Sequence, residues 1–307
     1  MGESLRVVRI PFRALAGAAL LGLALGGCTA EPLATTGVIA TIPPLAFLLE
    51  ELAGPAVRVP ALLPPGASPH TYEPRPSDVR AVRSAGALFY VSSTLDGWAT
   101  RLPARTVISV LDLVPAAYRR SFPEPGGRSE SDGASAHAEG TDPHFWTDPV
   151  TVAAMLPALA DALRTLDPEH GGAYAANADR FGRVLRDLDV ELRQTLAPAA
   201  GRSFVLFHPS FGYLFARYDL VVAGIVEPSP GREPTARDVE RLVLSARDAH
   251  VSAIFTEPQL PRRPAEVVAE SAGARVVELD PLGGGPGRES YVALLRFNAR
   301  AIAESLE

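Results

Sequence analysis

The alternation of short apolar runs with helix-like segments is the feature that most constrains the fold of this chain. In the second half, four candidate strands span 204–207, 221–226, 251–255 and 275–279, and helical segments separate three of them. Because parallel strands need crossover connections, which are usually helices, this order favours parallel α/β construction over a sandwich or a helix bundle. The second half is therefore predicted to form a parallel sheet covered by helices.

The first half shows the same alternation. Candidate strands cover 37–41, 57–63 and 87–91, and helices are expected to begin near Pro43 and Pro76. Proline suits the first helical turn because that position has no intrahelical N–H bond to lose. With 307 residues, 47% of them hydrophobic, the chain is long enough to bury two cores of this kind.

A long helix is predicted between the two halves, over residues 171–197. The residues that recur at helical spacing are Tyr174, Asn177, Phe181, Leu185, Leu188 and Leu192. We therefore expect a first lobe over 28–170 and a second over 198–307, with this helix as the bridge. Within the first lobe, residues 119–141 are rich in Pro, Gly, Ser, Glu and Asp, which predicts a polar, flexible loop.

The N-terminus has the pattern of an export signal. Three arginines precede a charge-free run over residues 14–30, which is too short and too rich in Ala and Gly for a comfortable membrane span. The run ends in Leu-Gly-Gly-Cys28, which resembles a bacterial lipobox, in which cleavage leaves the cysteine as a lipid-carrying N-terminus. This predicts a signal peptide over 1–27; the alternative is an ordinary signal peptide followed by a free thiol. With one cysteine, the chain forms no internal disulfide.

The charge pattern argues against a nucleic-acid partner. All 29 basic residues are arginines and they are scattered, while 35 acidic residues bring the net charge to −6. A nucleic-acid-binding domain would show a basic patch or stripe. We therefore expect no nucleic-acid partner.

Residues able to bind a metal occur at the ends of the predicted strands. His70, His208, Glu257 and Asp280 each follow such a strand, and ligands of parallel sheets bind outside the carboxyl ends of the strands. His144 lies in the segment Asp-Pro-His-Phe-Trp-Thr-Asp-Pro, where prolines and aromatic residues would hold a loop rigid. The four residues that follow strands can therefore converge between the lobes.

Each of these residues also has an ordinary structural interpretation. A single histidine in a loop is more often a surface or hydrogen-bonded residue than a ligand, and we interpret His137, His170 and His250 in that way. Glu257 could be a strand-end carboxylate bonded to the backbone. Asp280 could simply open a turn.

Four motifs in order carry a family resemblance. They are Gly-Ala-Ser-Pro-His70-Thr-Tyr-Glu-Pro, Asp-Pro-His144-Phe-Trp-Thr-Asp-Pro, Phe-His208-Pro-Ser-Phe-Gly-Tyr and Leu-Asp280-Pro-Leu-Gly. With the lipobox, they resemble the metal-binding lipoproteins of zinc and manganese ABC importers, the ZnuA/TroA-like group, over essentially all of the mature chain. The resemblance implies two parallel-sheet α/β lobes bridged by one long α-helix, with a metal site in the cleft between them.

The resemblance also implies the ligands and the function. His70 and His144 would come from the first lobe, and His208 and Asp280 from the second, with Glu257 beside them. The protein would be a monomer that captures a cation outside the cytoplasm, in the periplasm or anchored to the membrane by lipid on Cys28. It would deliver the cation to an ABC permease and its ATPase.

The residue types favour zinc as the cargo. Three imidazoles and one carboxylate suit a tetrahedral zinc site, whereas manganese prefers more oxygen ligands. Manganese-type relatives often have a carboxylate in place of His208, although a histidine-rich site can also take manganese. Zinc-type relatives often carry a histidine-rich loop between the first two ligands, but residues 119–141 offer only His137.

Two other function classes compete with that of an importer component. A zinc hydrolase would use Glu257 or Asp280 as its base, but the chain lacks a His-Glu-x-x-His pair and a Gly-x-Ser-x-Gly elbow. Asp280 as fourth ligand would also leave no position for an activated water. An enzyme is therefore not expected, whereas a surface adhesin in which the metal braces the lobes stays open.

Overall fold

The described part of the chain contains two main parallel sheets, of three and four strands, joined by one long helix, which confirms the predicted fold class. The structure is a computed structural model. It describes residues 34–35, 37–124, 140–228, 231 and 234–306. The signal peptide, Cys28 and residues 125–139 of the polar loop lie outside the described residues.

The first lobe contains a three-stranded parallel sheet and a separate strand pair. Its elements are β1 (Ala34–Thr35), β2 (Val38–Ala40), α1 (Pro43–Ala53), β3 (Val57–Arg58), α2 (Pro76–Ser84), β4 (Ala87–Tyr90) and β5 (Val107–Ser109). The sheet has the order β2-β4-β5, and β1 pairs with β3.

Two strands of this lobe differ from the prediction. The strand expected over 57–63 ends at Arg58, and beyond it Ala61 alone forms an isolated bridge to Ala40. Pro60 lacks an N–H group, so a continuous ladder cannot pass through it. Strand β5 was not predicted, because three partly exposed residues are too short to show a period.

The second lobe contains a four-stranded sheet in which every pairing is parallel. Its elements are β6 (Ser203–Leu206), α5 (Gly212–Arg217), β7 (Val221–Ile225), α6 (Ala236–Asp248), β8 (Ala253–Thr256), α7 (Arg263–Ala272), β9 (Arg275–Glu278) and α8 (Tyr291–Glu304). The strand order is β7-β6-β8-β9, so the four strands predicted for this half are present in one sheet. Thr235 caps the start of α6, where the Asp238 N–H donates to Thr235 Oγ1.

Helices α3 (Pro149–Leu166) and α4 (Gly171–Leu196) lie between the sheets in sequence and pack against each other. Among the described residues, α3 is the one helix long and apolar enough to cross a membrane. Its apolar face is buried in the fold, and core helices meet the same criterion. The buried residues of that face include Val152, Met155, Leu156, Leu159 and Leu163.

Helix α4 is bonded to both lobes. In its first half, Asn177 Nδ2 donates to the Leu52 carbonyl oxygen at the end of α1, at 2.9 Å. In its second half, the Glu191 carboxylate accepts hydrogen bonds from Nε and Nη2 of Arg296 in α8, at 2.7–3.1 Å. The helix therefore links the two sheets as predicted, while the division of the chain into domains at 170 and 198 stays a prediction.

Candidate metal centre

Three histidines from distant parts of the chain meet at one point. The ring nitrogens of His70, His144 and His208 lie within 4.8 Å of one another. The Nε2 atoms of His70 and His208 are 3.2 Å apart. Two nitrogens bound to one tetrahedral zinc ion at about 2.0–2.1 Å would lie about 3.3 Å apart. The spacing therefore fits a single metal ion.

Backbone carbonyl groups hold the ring of His208 and the turn before His70. His208 directly follows Phe207 at the carboxyl end of β6, and its Nδ1 lies 3.4 Å from the Glu227 carbonyl oxygen. A carbonyl oxygen only accepts, so Nδ1 carries the proton and Nε2 is left to face His70. The turn before His70 is held because Trp98 Nε1 donates to the Pro69 carbonyl oxygen at 2.8 Å.

A buried carboxylate fixes the ring of His144. Asp142 Oδ1 accepts from the His144 N–H at 2.9 Å and from Nδ1 at 2.7 Å. Nδ1 therefore carries the proton, and Nε2 keeps the lone pair that a metal needs. A side chain at Gly212 would place its Cβ 2.8 Å from Asp142 Oδ2, so this close approach requires glycine.

Asp142 is a functional residue that was not among the predicted site residues. The signal was available in the Asp-Pro-His order, since a carboxylate two residues before a histidine can reach its Nδ1. Asp142 is fully buried, which an acidic residue tolerates when it is hydrogen-bonded. We assign it the role of orienting His144.

Removing Asp142 is expected to weaken metal binding while the three histidines remain. Asp142→Ala should lower zinc affinity by about 10–100-fold, because the His144 ring loses the partner that sets its orientation and tautomer. Asp142→Asn should have a smaller effect, since an amide oxygen can still accept from Nδ1. Competition titration with a chelator measures both. Asp161→Ala, at an exposed ion pair with Arg164, is the matched control, and an equal affinity in Asp142→Ala and Asp161→Ala would contradict this role.

Hydrogen bonds attach the His144 segment to the second lobe. Trp146 Nε1 donates to the Pro281 carbonyl oxygen at 2.7 Å, and the Tyr291 hydroxyl donates to the Trp146 carbonyl oxygen at 2.7 Å. The division implied by the family resemblance, in which His144 and His70 share the first lobe, stays a prediction. By these bonds, His144 is tied to the second lobe, whereas His70 lies in a turn bonded to Trp98 of the first.

Asp280 is buried but does not belong to the group of three histidines. Its Oδ1 accepts from the N–H groups of Leu282 and Gly283, at 2.9 and 3.0 Å. Its Oδ2 lies 3.0 Å from Nη1 of Arg288. The residue thus opens a turn after β9, and its role as a metal ligand stays a prediction.

Glu257 lines the small cavity beside the histidines, together with Ser210 and Gln259. Ser210 Oγ donates to Glu257 Oε1 at 2.5 Å, so the carboxyl group is bonded to a side chain rather than to the backbone. Burial raises the pKa of Glu257 to about 8, and the nearby carboxylates of Asp280 and Glu227 add to this effect. The hydrogen bond from Ser210 lowers the pKa but does not offset the rise. The free space is about 20 Å³, enough for about one water-sized species.

The raised pKa of Glu257 makes the stability of the metal-free protein depend on pH. A carboxyl group whose pKa is about 8 when folded and about 4.3 when unfolded holds its proton better in the folded state. The protonated carboxyl group therefore stabilises the folded state fully below about pH 4.3. This stabilisation is lost progressively as the pH rises to about 8. Between pH 5 and 8, wild type should lose about 2–5 kcal/mol more stability than Glu257→Gln.

Urea denaturation at several pH values, with chelator present, measures this difference. Glu266→Gln on the exposed face of α7 is the control and should follow wild type. Parallel stability curves for wild type and Glu257→Gln would show that the carboxyl group titrates normally.

Comparison with known proteins decides the family. A family model described as "Zinc-uptake complex component A periplasmic", ZnuA, matches residues 38–305 of this chain. The chain belongs to the ZnuA family. The matched region includes His70, His144, His208 and Asp280.

Individual members of the ZnuA family and its wider group are similar over nearly the whole chain. The high-affinity zinc uptake system protein ZnuA of Paracoccus denitrificans is 32% identical, covering 88% of this chain and 91% of that protein. The manganese-binding lipoprotein MntA of Halalkalibacterium halodurans is 26% identical, covering 94% and 96%. A crystal structure of ZnuA superposes with a TM-score of 0.73 at 29% identity, covering 87% and 97%.

Membership in the ZnuA family establishes the general role. The protein is a metal-binding, substrate-binding component of an ABC uptake system, and it acts outside the cytoplasm. Members of this family bind and deliver their cargo without catalysing a reaction, which confirms the expectation that the chain is not an enzyme. The histidine triad is the metal site of that role.

Proposed function

We propose that this protein captures Zn²⁺ and delivers it to the permease of a zinc importer. The observation that carries the proposal is the convergence of three imidazole nitrogens within 4.8 Å. Nitrogen ligands in a tetrahedral arrangement suit zinc, whereas manganese prefers more oxygen. His208 supports this choice because it supplies a nitrogen ligand at the position where manganese-type relatives often have a carboxylate.

The attachments of the three histidines suggest how the ion is released. His144 is bonded through its segment to the second lobe, and His208 follows a strand of that lobe. His70 lies in the turn bonded to Trp98. A small tilt of the first lobe would therefore withdraw His70 and leave the ion with one imidazole fewer. Such a step would weaken the site when the permease engages both lobes.

Further parts of the proposal concern the fourth ligand and the anchor. Asp280 would complete the zinc site, and Glu257 would lie beside it without binding the ion. Cys28 would carry the lipid that holds the protein, as a monomer, at the outer face of the membrane. The permease and its ATPase would be its partners.

Competition between zinc and manganese tests the choice of cargo. Metal-free protein should bind one equivalent of zinc tightly, and manganese in large excess should fail to displace it. Protein purified without chelator should contain zinc when its metal content is measured by mass spectrometry. Preferential binding of manganese in both measurements would overturn the proposed cargo.

Zinc binding should change the overall dimensions of the protein very little. Helix α4 is bonded to α1 at one half and to α8 at the other, so it permits a tilt rather than a wide hinge motion. Small-angle scattering curves of the metal-free and zinc-loaded forms should nearly superpose. A large compaction on adding zinc would contradict the bridging role of α4.

The anchor has its own test. Cys28→Ala should leave the protein unprocessed or released from the membrane fraction, while the mature domain still binds zinc. Mass spectrometry of wild type that finds Cys28 unmodified in soluble protein would exclude the lipid.

A further inference from the structure

We propose that Arg288 is a positioning residue that competes with the bound metal for Asp280 and thereby sets how tightly the site holds its ion. This inference rests on the proposed function, in which the histidines bind zinc and Asp280 is the fourth ligand. Arg288 comes from the Gly-rich segment between β9 and α8 and lies close to the carboxylates of Asp280 and Glu278.

Both oxygens of the Asp280 carboxylate have partners outside the three histidines. Oδ2 lies 3.0 Å from Arg288 Nη1, and the two side chains are only 4% and 16% exposed. Oδ1 accepts from Gln259 Nε2 at 3.1 Å, in addition to the two backbone N–H groups of the turn. Because charged contacts are weakly screened at such low exposure, Arg288 is a strong competitor for this carboxylate.

Hydrogen bonds hold the main chain of Asp280 in place. The side chain of Asn298 in α8 bonds both of its backbone groups. Asn298 Oδ1 accepts from the Asp280 N–H, and Asn298 Nδ2 donates to the Asp280 carbonyl oxygen, both at 2.8 Å. A carboxylate that joins the metal must therefore do so by side-chain rotation. That rotation ends the contact with Arg288.

Arg288 has other partners that would keep it in place when Asp280 leaves. Its guanidinium carbon lies 4.5 Å from the centroid of the Phe297 ring, and its Nη1 lies 3.7 Å from a carboxylate oxygen of Glu278. Nε and Nη1 of Arg288 are buried and make no hydrogen bond of good geometry. The guanidinium is thus held mainly by charge and by the aromatic face, which permits the exchange.

Capture would then begin on the three histidines, and Asp280 would join only by leaving Arg288. The pair gives the site a weaker and faster-releasing form than four free ligands would. An importer component benefits from this balance, because it must release its cargo as well as bind it. The simpler alternative is that Arg288 acts only as a positive charge near a cation.

Replacing Arg288 tests the inference. Arg288→Gln should tighten zinc binding by about tenfold or more and slow zinc dissociation by a similar factor, because Asp280 is released from its ion pair. Arg288→Met, which keeps an apolar contact with Phe297, should behave in the same way and provides a second replacement if the glutamine variant is poorly folded. Arg288→Lys should remain close to wild type. Arg180→Gln, at a half-exposed ion pair on α4, is the matched control and should leave zinc binding unchanged.

The combination with Asp280→Asn separates the two explanations. If Arg288 acts through Asp280, the tightening disappears in Arg288→Gln/Asp280→Asn. Equal tightening with and without Asp280 would show a general charge effect and overturn the inference. Unchanged affinity and dissociation rate in both Arg288 replacements would also overturn it, whereas absence of tight zinc binding in wild type would instead refute the proposed function.

Discussion

Alanine at any one of His70, His144 or His208 is expected to lower zinc affinity by at least about 100-fold. The reason is that each imidazole supplies one of three nitrogens that lie within 4.8 Å of one another. Water can occupy the vacated position, so binding should weaken rather than vanish. Competition titration with a chelator of known affinity measures the loss.

The matched control for this prediction is His170→Ala. His170 is exposed and lies in the short segment between α3 and α4. Its Nδ1 is 2.8 Å from Oδ2 of Asp167. Its replacement should leave zinc affinity unchanged. Wild-type affinity in all three triad variants would refute the assigned site. A loss of affinity only in His70→Ala would show that His144 and His208 do not bind the ion.

Asp148→Ala is expected to destabilise the fold by about 3 kcal/mol or more. Asp148 is fully buried, accepts from the Val150 N–H and the Thr151 hydroxyl at the start of α3, and pairs through both oxygens with Arg217 at 3.1 Å. Its removal deletes a helix cap, worth about 1 kcal/mol, and leaves a largely buried guanidinium without its counter-ion. Urea denaturation measures the change in the free energy of unfolding.

Asp161→Ala offers the exposed counterpart. Asp161 also pairs with an arginine, Arg164, but both side chains are more than half exposed, and such pairs contribute about 0–1 kcal/mol. Asp148→Ala should therefore cost several times more than Asp161→Ala. Equal costs would show that the Asp148–Arg217 pair does not stabilise the start of α3.

The parts of the fold that were predictable have a local signal. The four strands of the second sheet are short apolar runs bounded by turn residues, and α6 begins with a Thr235–Asp238 capping box, a signal contained in four consecutive residues. Strand β5 has only three residues, and its pairing with β4 depends on the sheet rather than on its own sequence. Local patterns could not predict it.

The candidate site shows the same distinction. His70, His144 and His208 could be identified because each lies in a recognisable motif. The bond between Asp142 and His144 is local but was overlooked, while the contact between Arg288 and Asp280 depends on how the segment after β9 folds back. The attachment of Trp146 to Pro281 joins residues 135 positions apart, so no sequence spacing could reveal it.

Anomalous X-ray scattering at the zinc edge, from crystals of the zinc-loaded protein, tests the central claim most directly. The account predicts one strong anomalous peak among His70, His144 and His208, with ring nitrogens at about 2.0–2.1 Å from the ion. A peak at another place, or full occupancy by zinc without contact to these three histidines, would contradict it.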